Sequence, residues 1–162
     1  MASFDLVSKL DMMELKNAVE TATKIFTGRF DFKGSNATIE ILKDSVEVKA
    51  EDETKVKAVM DILTTQMGKR GIGLKGLEKS DIKATGMKMM KQTFPLKNGI
   101  DKENAKKIQN LIKTSGAKVN ASYMDEKLRI DAKKIDDLQT VYHLLKTSND
   151  IKLDLSMENM KS

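Results

Sequence analysis

Apolar positions along this chain switch between two spacings. Phe4 to Lys9 alternates Phe4, Leu6 and Ser8 against Asp5, Val7 and Lys9, which predicts a strand. From Met12 the spacing turns helical, with Met12, Leu15, Val19, Ala22 and Phe26 on one face. Asp11 with Glu14 three residues on predicts a capping-box start, and Gly28 a stop. Thr38–Ile41 and Val46–Lys49 read as two strands turning through Lys43-Asp44-Ser45. Asp52 then caps a helix with Val56, Val59, Leu63 and Met67 inward, and Gly68, Gly71, Gly73 and Gly76 open a loop.

The order then repeats. Met87 to Leu96 is a strand with Pro95 near its end, since proline removes a ladder donor. Asp101 starts a helix with Ala105, Ile108 and Ile112 inward, ended by Gly116. Val119-x-Ala121-x-Tyr123 and Leu128-x-Ile130 form a hairpin around Asp125-Glu126. Asp136 with Gln139 predicts another capped start, for a helix lined by Leu138, Val141 and Leu145. Ile151-x-Leu153-x-Leu155 predicts a closing strand. Phe94, Leu96, Asp101 and Lys106 restate Phe4, Leu6, Asp11 and Lys16 at one constant offset, which suits a duplicated small domain. The second half reads β-α-β-β-α-β. The first half reads the same, with its last strand in the weakly patterned Leu77 to Ala84. This is the split βαββαβ order, which gives a four-stranded antiparallel sheet with two helices on one face.

At 162 residues the chain can hold one medium domain or two small ones. Cysteine is absent, which excludes disulfides, thiolate metal sites and thiol catalysis and fits a cytoplasmic address. No apolar run approaches membrane-spanning length, and the first residues lack the pattern of a secretion signal. The net charge is +5, but Lys88 to Lys134 holds twelve basic against five acidic residues, so the remainder is slightly acidic. Such a local excess points to an anionic partner such as phosphate, against the alternative of a solvated lysine-rich surface.

Enzymatic chemistry finds little support. The one histidine, His143, lies off the inward stripe of its helix and reads as a surface or boundary residue. There is no phosphate-cradling loop before a lysine and no nucleophile elbow. Gly71, Gly73 and Gly76 have dinucleotide-fingerprint spacing but follow a helix, so they read as loop. No cofactor or metal is expected. Base stacking on an open sheet face needs aromatics there, whereas the outward positions are Asn120, Ser122, Met124, Arg129 and Asp131. Only Arg29, Arg70 and Arg129 are arginines among 29 basic residues. Each is either a fork for phosphate or guanine, or an arginine–carboxylate bridge. Lys106 and Lys113 share a side of their helix, and Lys107 does not.

Several stretches together carry a resemblance. They are Ser3-Phe4-Asp5, Asn17-Ala18, Arg29-Phe30-Asp31-Phe32-Lys33-Gly34, Lys69-Arg70-Gly71-Ile72 and Gly99-Ile100-Asp101. Ala105-Lys106-Lys107-Ile108, Ile112-Lys113, Lys118-Val119, Leu128-Arg129-Ile130 and Asp136-Asp137-Leu138-Gln139 continue the set. In this order they resemble the YajQ family of bacterial proteins along nearly the whole chain. The resemblance implies an α+β fold of two tandem ferredoxin-like (RNP-like) domains with exchanged N-terminal strands. The first would span 11–97, completed by strand 87–96. The second would comprise 1–10 and 98–162, completed by strand 4–9. The resemblance also implies non-enzymatic binding of a nucleotide, with cyclic di-GMP sensing through protein partners as one form. Binding of tRNA or other structured RNA through its backbone, and a nucleotide-independent adaptor for a transcriptional regulator, are the alternatives. Residues 120–126, Asp131-Ala132 and the Met-rich 87–90 depart from the commoner family pattern. Arg29, Lys33, Arg70, Lys106, Lys118 and Arg129 are the expected phosphate or guanine contacts.

Overall fold

Three aspartates start three helices. Asp11, Asp52 and Asp101 accept from the backbone N–H of Glu14 (3.2 Å), Lys55 (2.8 Å) and Asn104 (3.0 Å), each three residues on. The helices that follow are α1 (Met12–Thr27), α2 (Glu53–Lys69) and α3 (Lys102–Ser115). The fourth, α4 (Ile135–Thr147), starts differently. Its N-cap is Lys134, which makes no side-chain cap bond, and Asp136 lies inside the first turn. The expected cap at Asp136 is thus corrected. The Asp137 N–H already bonds to the Lys134 carbonyl, so the turn closes before Asp136 could cap it. In place of a cap, Asp136 and Asp137 bring negative charge to the positive end of the helix dipole.

The computed structural model describes residues 1–75 and 77–162; Gly76, expected in the glycine loop, lies outside the described residues. The strands are β1 (Ala2–Val7), β2 (Thr38–Ile41), β3 (Ser45–Ala50), β4 (Lys83–Ala84), β5 (Met90–Pro95), β6 (Val119–Met124), β7 (Lys127–Ala132) and β8 (Ser156–Lys161). They form two four-stranded antiparallel sheets, ordered β2-β3-β5-β4 and β6-β7-β1-β8. The fold is α+β, and each sheet has the strand order of a ferredoxin-like domain. The chain divides into two compact units, Leu10–Leu96 and Met1–Lys9 with Lys97–Ser162. Among the described residues no helix is long and apolar enough to cross a membrane.

In the Leu10–Leu96 unit, Leu15, Ala18, Ala22 and Phe26 of α1 and Val56, Val59, Leu63 and Met67 of α2 bury against Val46, Val48 and Phe94. The inward line of α1 runs through Ala18; Met12 is exposed and Val19 half-buried. The strand expected from Met87 starts at Met90, because residues 85–89 form a tight turn. The Thr85 N–H bonds to the Met89 carbonyl, and Gly86 and Lys88 have φ of 86° and 60°. Met87, 83% exposed, sits at its tip. Pro95 closes β5, as its missing donor requires.

In the other unit, Phe4 and Leu6 of β1, Leu128 and Ile130 of β7, and the inward faces of α3 and α4 share one core. Ile151, Leu153 and Leu155 join that core but are not a strand; the ladder begins at Ser156. The partner strand decides this. β1 ends at Val7, which pairs with Ser156, and Leu10 and Asp11 then lead into α1. Residues 151–155 have no strand left to pair with, so their alternation reports burial alone.

Candidate functional site

α3 places two lysines along an edge of its sheet. Its start is firm: Asp101 accepts from both the N–H (3.0 Å) and the Nδ2 (2.7 Å) of Asn104. Burial works against the Asp101 charge, yet these bonds hold its carboxyl below the usual carboxylate range. Its end is fixed by Gly116 at φ 73°, a left-handed position that suits glycine. With Ala105, Ile108 and Ile112 turned to the core, helical periodicity carries Lys106, Gln109, Asn110 and Lys113 to a flanking stripe. That stripe faces β6, an edge strand. The two elements enclose an open groove of about 470 Å³ lined by these four residues together with Ile112, Val119, Asn120 and Ala121. Lys106 and Lys113 therefore share a side, and Lys107 is not in the lining. Gln109 Nε2 donates to the Ala121 carbonyl (3.2 Å), tying helix to strand across the groove floor.

The sheet face away from the helices carries an ionic cluster. Asp5, only 1% exposed, alternates with the core residues Phe4 and Leu6 and so points to that face. It stands opposite Arg129 on β7 and Glu158 on β8. Its carboxylate accepts from Arg129 Nε (3.0 Å) and Asn159 Nδ2 (2.9 Å), with Lys127 Nζ at 3.7 Å. Asn159 reaches it from a left-handed residue (φ 55°) beside a register shift in the β1–β8 ladder. The Arg129 hydrogen bond, then that of Asn159, holds Asp5 below its ordinary range, and the same bond raises Arg129. Among the described residues this pair uses only the arginine's Nε, and its side chain is 61% exposed.

The other arginines also meet carboxylates. Arg29 makes a bidentate pair with Asp31, Nε–Oδ1 3.0 Å and Nη2–Oδ2 2.8 Å. Arg70, at the end of α2, donates to Thr21 Oγ1 (3.0 Å) and stands 3.9 Å from Glu14, joining α2 to α1. Lys33 is exposed one 3-10 turn beyond Phe30, and Lys118 is exposed just before β6. Of the six expected contacts, the groove brings in Lys106 alone. Arg29 and Lys33 share a turn, while Arg129 serves the sheet face. Lys113, Gln109, Asn110 and Asn120 complete the groove; helical spacing signalled Lys113 beside Lys106, while Gln109 and Asn110 went unread although the same spacing puts them on that stripe. The bridging carboxylates could not be foreseen for Arg129, because Asp5 is 124 residues away in the chain.

Residues 2–161 match the family described as "Nucleotide-binding protein YajQ-like". The chain belongs to this family. Among its relatives is a "Nucleotide-binding protein" of Geotalea daltonii, 41% identical over 161 residues that cover 99% of each chain. A "Nucleotide-binding protein" of Cytophaga hutchinsonii is 43% identical over 163 residues, covering 99% of this chain and 100% of the relative. One of Alkaliphilus oremlandii is 42% identical over 159 residues, 98% and 97% of the two chains. The YajQ-like match is therefore continuous through both ferredoxin-like units. Among the described residues no group of three or more His, Cys, Asp or Glu could hold a metal ion.

Proposed function

We propose that this chain binds a nucleotide in the cytoplasm, without acting on it chemically, through the groove between α3 and β6. The observation that carries the reading is the pair Lys106 and Lys113 along an open groove whose other polar side chains are amides. Ammonium groups suit phosphate oxygens. The amides of Gln109, Asn110 and Asn120 both donate and accept, as base edges require. A volume of about 470 Å³ falls in the range of small-molecule sites. Lys106 and Lys113 lie two helical turns apart, roughly 10 Å along the axis, which suits a ligand with two phosphates. Cyclic di-GMP is such a ligand and stands first among those we propose, its signal passing to a protein partner such as a transcriptional regulator. The names of the relatives support the nucleotide class. Lys118, just before β6, adds charge nearby. We assign Arg29, Arg70 and Arg129 supporting roles, since each already engages a carboxylate.

A second reading, structured RNA held by its backbone, draws on the basic excess between Lys88 and Lys134. Calorimetry with cyclic di-GMP, GTP, ATP and tRNA at two salt concentrations separates the two. RNA binding weakens steeply with salt because many counterions are released, whereas a small ligand responds less. Lys106→Ala and Lys113→Ala should each weaken nucleotide binding by about 3- to 30-fold. Lys107→Ala, outside the groove, should leave it unchanged. Equal affinity in all three variants removes the groove from the function. Silence across the whole panel favours an adaptor that docks a regulator without nucleotide.

A further inference from the structure

The chain has five phenylalanines, and the fold uses four of them. Phe4, Phe26, Phe32 and Phe94 are at most 3% exposed, whereas Phe30 is 90% exposed. Phe30 opens the short 3-10 turn Phe30–Phe32 that follows α1. Its neighbours hold that turn from every side. Phe32 enters the core against Phe26, with ring centroids 5.4 Å apart. Arg29 clasps Asp31 through two hydrogen bonds and lies 5.5 Å over the Phe32 ring, with Lys55 5.9 Å from the same ring. Ser35 Oγ and the Asn36 N–H donate to Glu51 at 2.5 and 2.6 Å. Burial opposes the Glu51 charge, but the Ser35 and Asn36 bonds win and keep it below the usual range. The backbone closes with the Lys33 N–H on the Phe30 carbonyl and the Ser35 N–H on that of Phe32. Such a turn gains nothing toward folding by holding Phe30 in water.

We infer that Phe30 is a stacking platform for an unpaired nucleobase, with Lys33 contacting the phosphate of the same nucleotide. In a 3-10 turn residues three apart eclipse each other, so Lys33 leaves the turn on the Phe30 side. Gly34, at φ 76°, has open space for 4 Å around the point where a Cβ would stand, which keeps the approach clear. The flanks favour a base over a protein partner. Thr27, Gly28, Arg29, Asp31, Lys33 and Gly34 are all exposed and none is a large apolar residue, so the ring stands among polar and charged neighbours rather than in the broad apolar patch that marks many protein interfaces. A lone ring beside a cation is what base stacking uses, and it tolerates any base. Among the described residues the open face of β6 and β7 carries no aromatic for this task, and the turn supplies one. Arg29, tied to Asp31, acts as a positioning residue. This inference rests on the nucleotide-binding reading but assigns a second contact, separate from the α3–β6 groove.

The chain has no tryptophan, so 2-aminopurine fluorescence can be read directly. The probes are 2-aminopurine riboside monophosphate and a short single-stranded RNA carrying one 2-aminopurine. The full chain should quench the probe on binding. Phe30→Ala should lose the quenching and weaken affinity by about 5- to 100-fold. Phe30→Trp should retain both. Phe30→Leu, which keeps apolar area without a ring, should behave like alanine. Lys33→Ala should lower the salt slope of RNA binding by about one. Quenching of the monophosphate assigns the contact to a free nucleotide, and quenching of the RNA alone assigns it to a strand. If the unaltered chain quenches and Phe30→Ala quenches equally, the stacking assignment falls while nucleotide binding stands. If the unaltered chain binds neither probe and is silent in the calorimetric panel, both fall together.

Discussion

Replacing Asp5 with asparagine removes one charge from the sheet face at almost constant shape. The carboxylate holds Arg129 Nε and Asn159 Nδ2 at 3.0 and 2.9 Å and is nearly inaccessible to water. An asparagine there presents one oxygen and one NH2 group. It can accept from one donor, but its own hydrogens then face the other. The Arg129 bond then keeps an acceptor but loses its charge assistance, about 1–1.5 kcal/mol, and the Asn159 bond of about 1 kcal/mol is lost. Arg129 is more than half exposed and regains water, which discounts the first figure. About 1–2 kcal/mol remains. The sign of the pH dependence follows from the lowered pKa of Asp5. Its contribution is complete above the ordinary carboxylate pKa and is lost as pH falls through the depressed folded-state value. Urea unfolding of Asp5→Asn should therefore show the full deficit at neutral pH and a shrinking one in strong acid. A deficit below about 0.5 kcal/mol at neutral pH, or one equal at all pH, refutes the cluster as a structural device. The same variant removes the charge that holds Arg129. Nucleotide affinity should stay unchanged if the α3–β6 groove is the site, and should rise if Arg129 is a phosphate contact.

Asp125 and Glu126 both lie in the left-handed region, at φ 52° and 61°, in the two-residue turn between β6 and β7. Such a turn favours glycine at its second position, so Glu126→Gly should stabilise by about 1 kcal/mol in thermal unfolding; a loss would show that the Glu126 side chain supports the turn. Phe32→Ala should cost about 3–5 kcal/mol, because the ring is buried against Phe26. A cost below about 1 kcal/mol by the same measurement would mean that the 3-10 turn is not anchored there.

Local chemistry was the legible part of this chain. Asp11, Asp52 and Asp101 announce their helices, and Gly116 and Pro95 end their elements where backbone geometry demands it. The seven-residue interval from Lys106 to Lys113 is enough to place both on one side of α3. What stayed hidden depended on distant partners. Ile151 to Leu155 carries the alternation of a strand, yet only the length of β1 decides where pairing begins. The arginines were visible and their carboxylates were not, save Asp31, two residues from Arg29. The groove itself exists because β6 is an outer strand, a property of sheet order rather than of any stretch of residues. Phe30 and Phe32 are identical residues two apart. Nothing in their immediate pattern says which one the core takes.

The bond from Gln109 to the Ala121 carbonyl has a second consequence. An unpaired outer strand invites another polypeptide to add itself as the next rung, the first step toward fibrous stacking. A carbonyl midway along β6 is already taken, by a side chain rooted in the neighbouring helix. Any newcomer must share that acceptor with the amide or displace it before it can zip along the margin, so a residue that shapes the groove also helps keep separate molecules apart at high concentration.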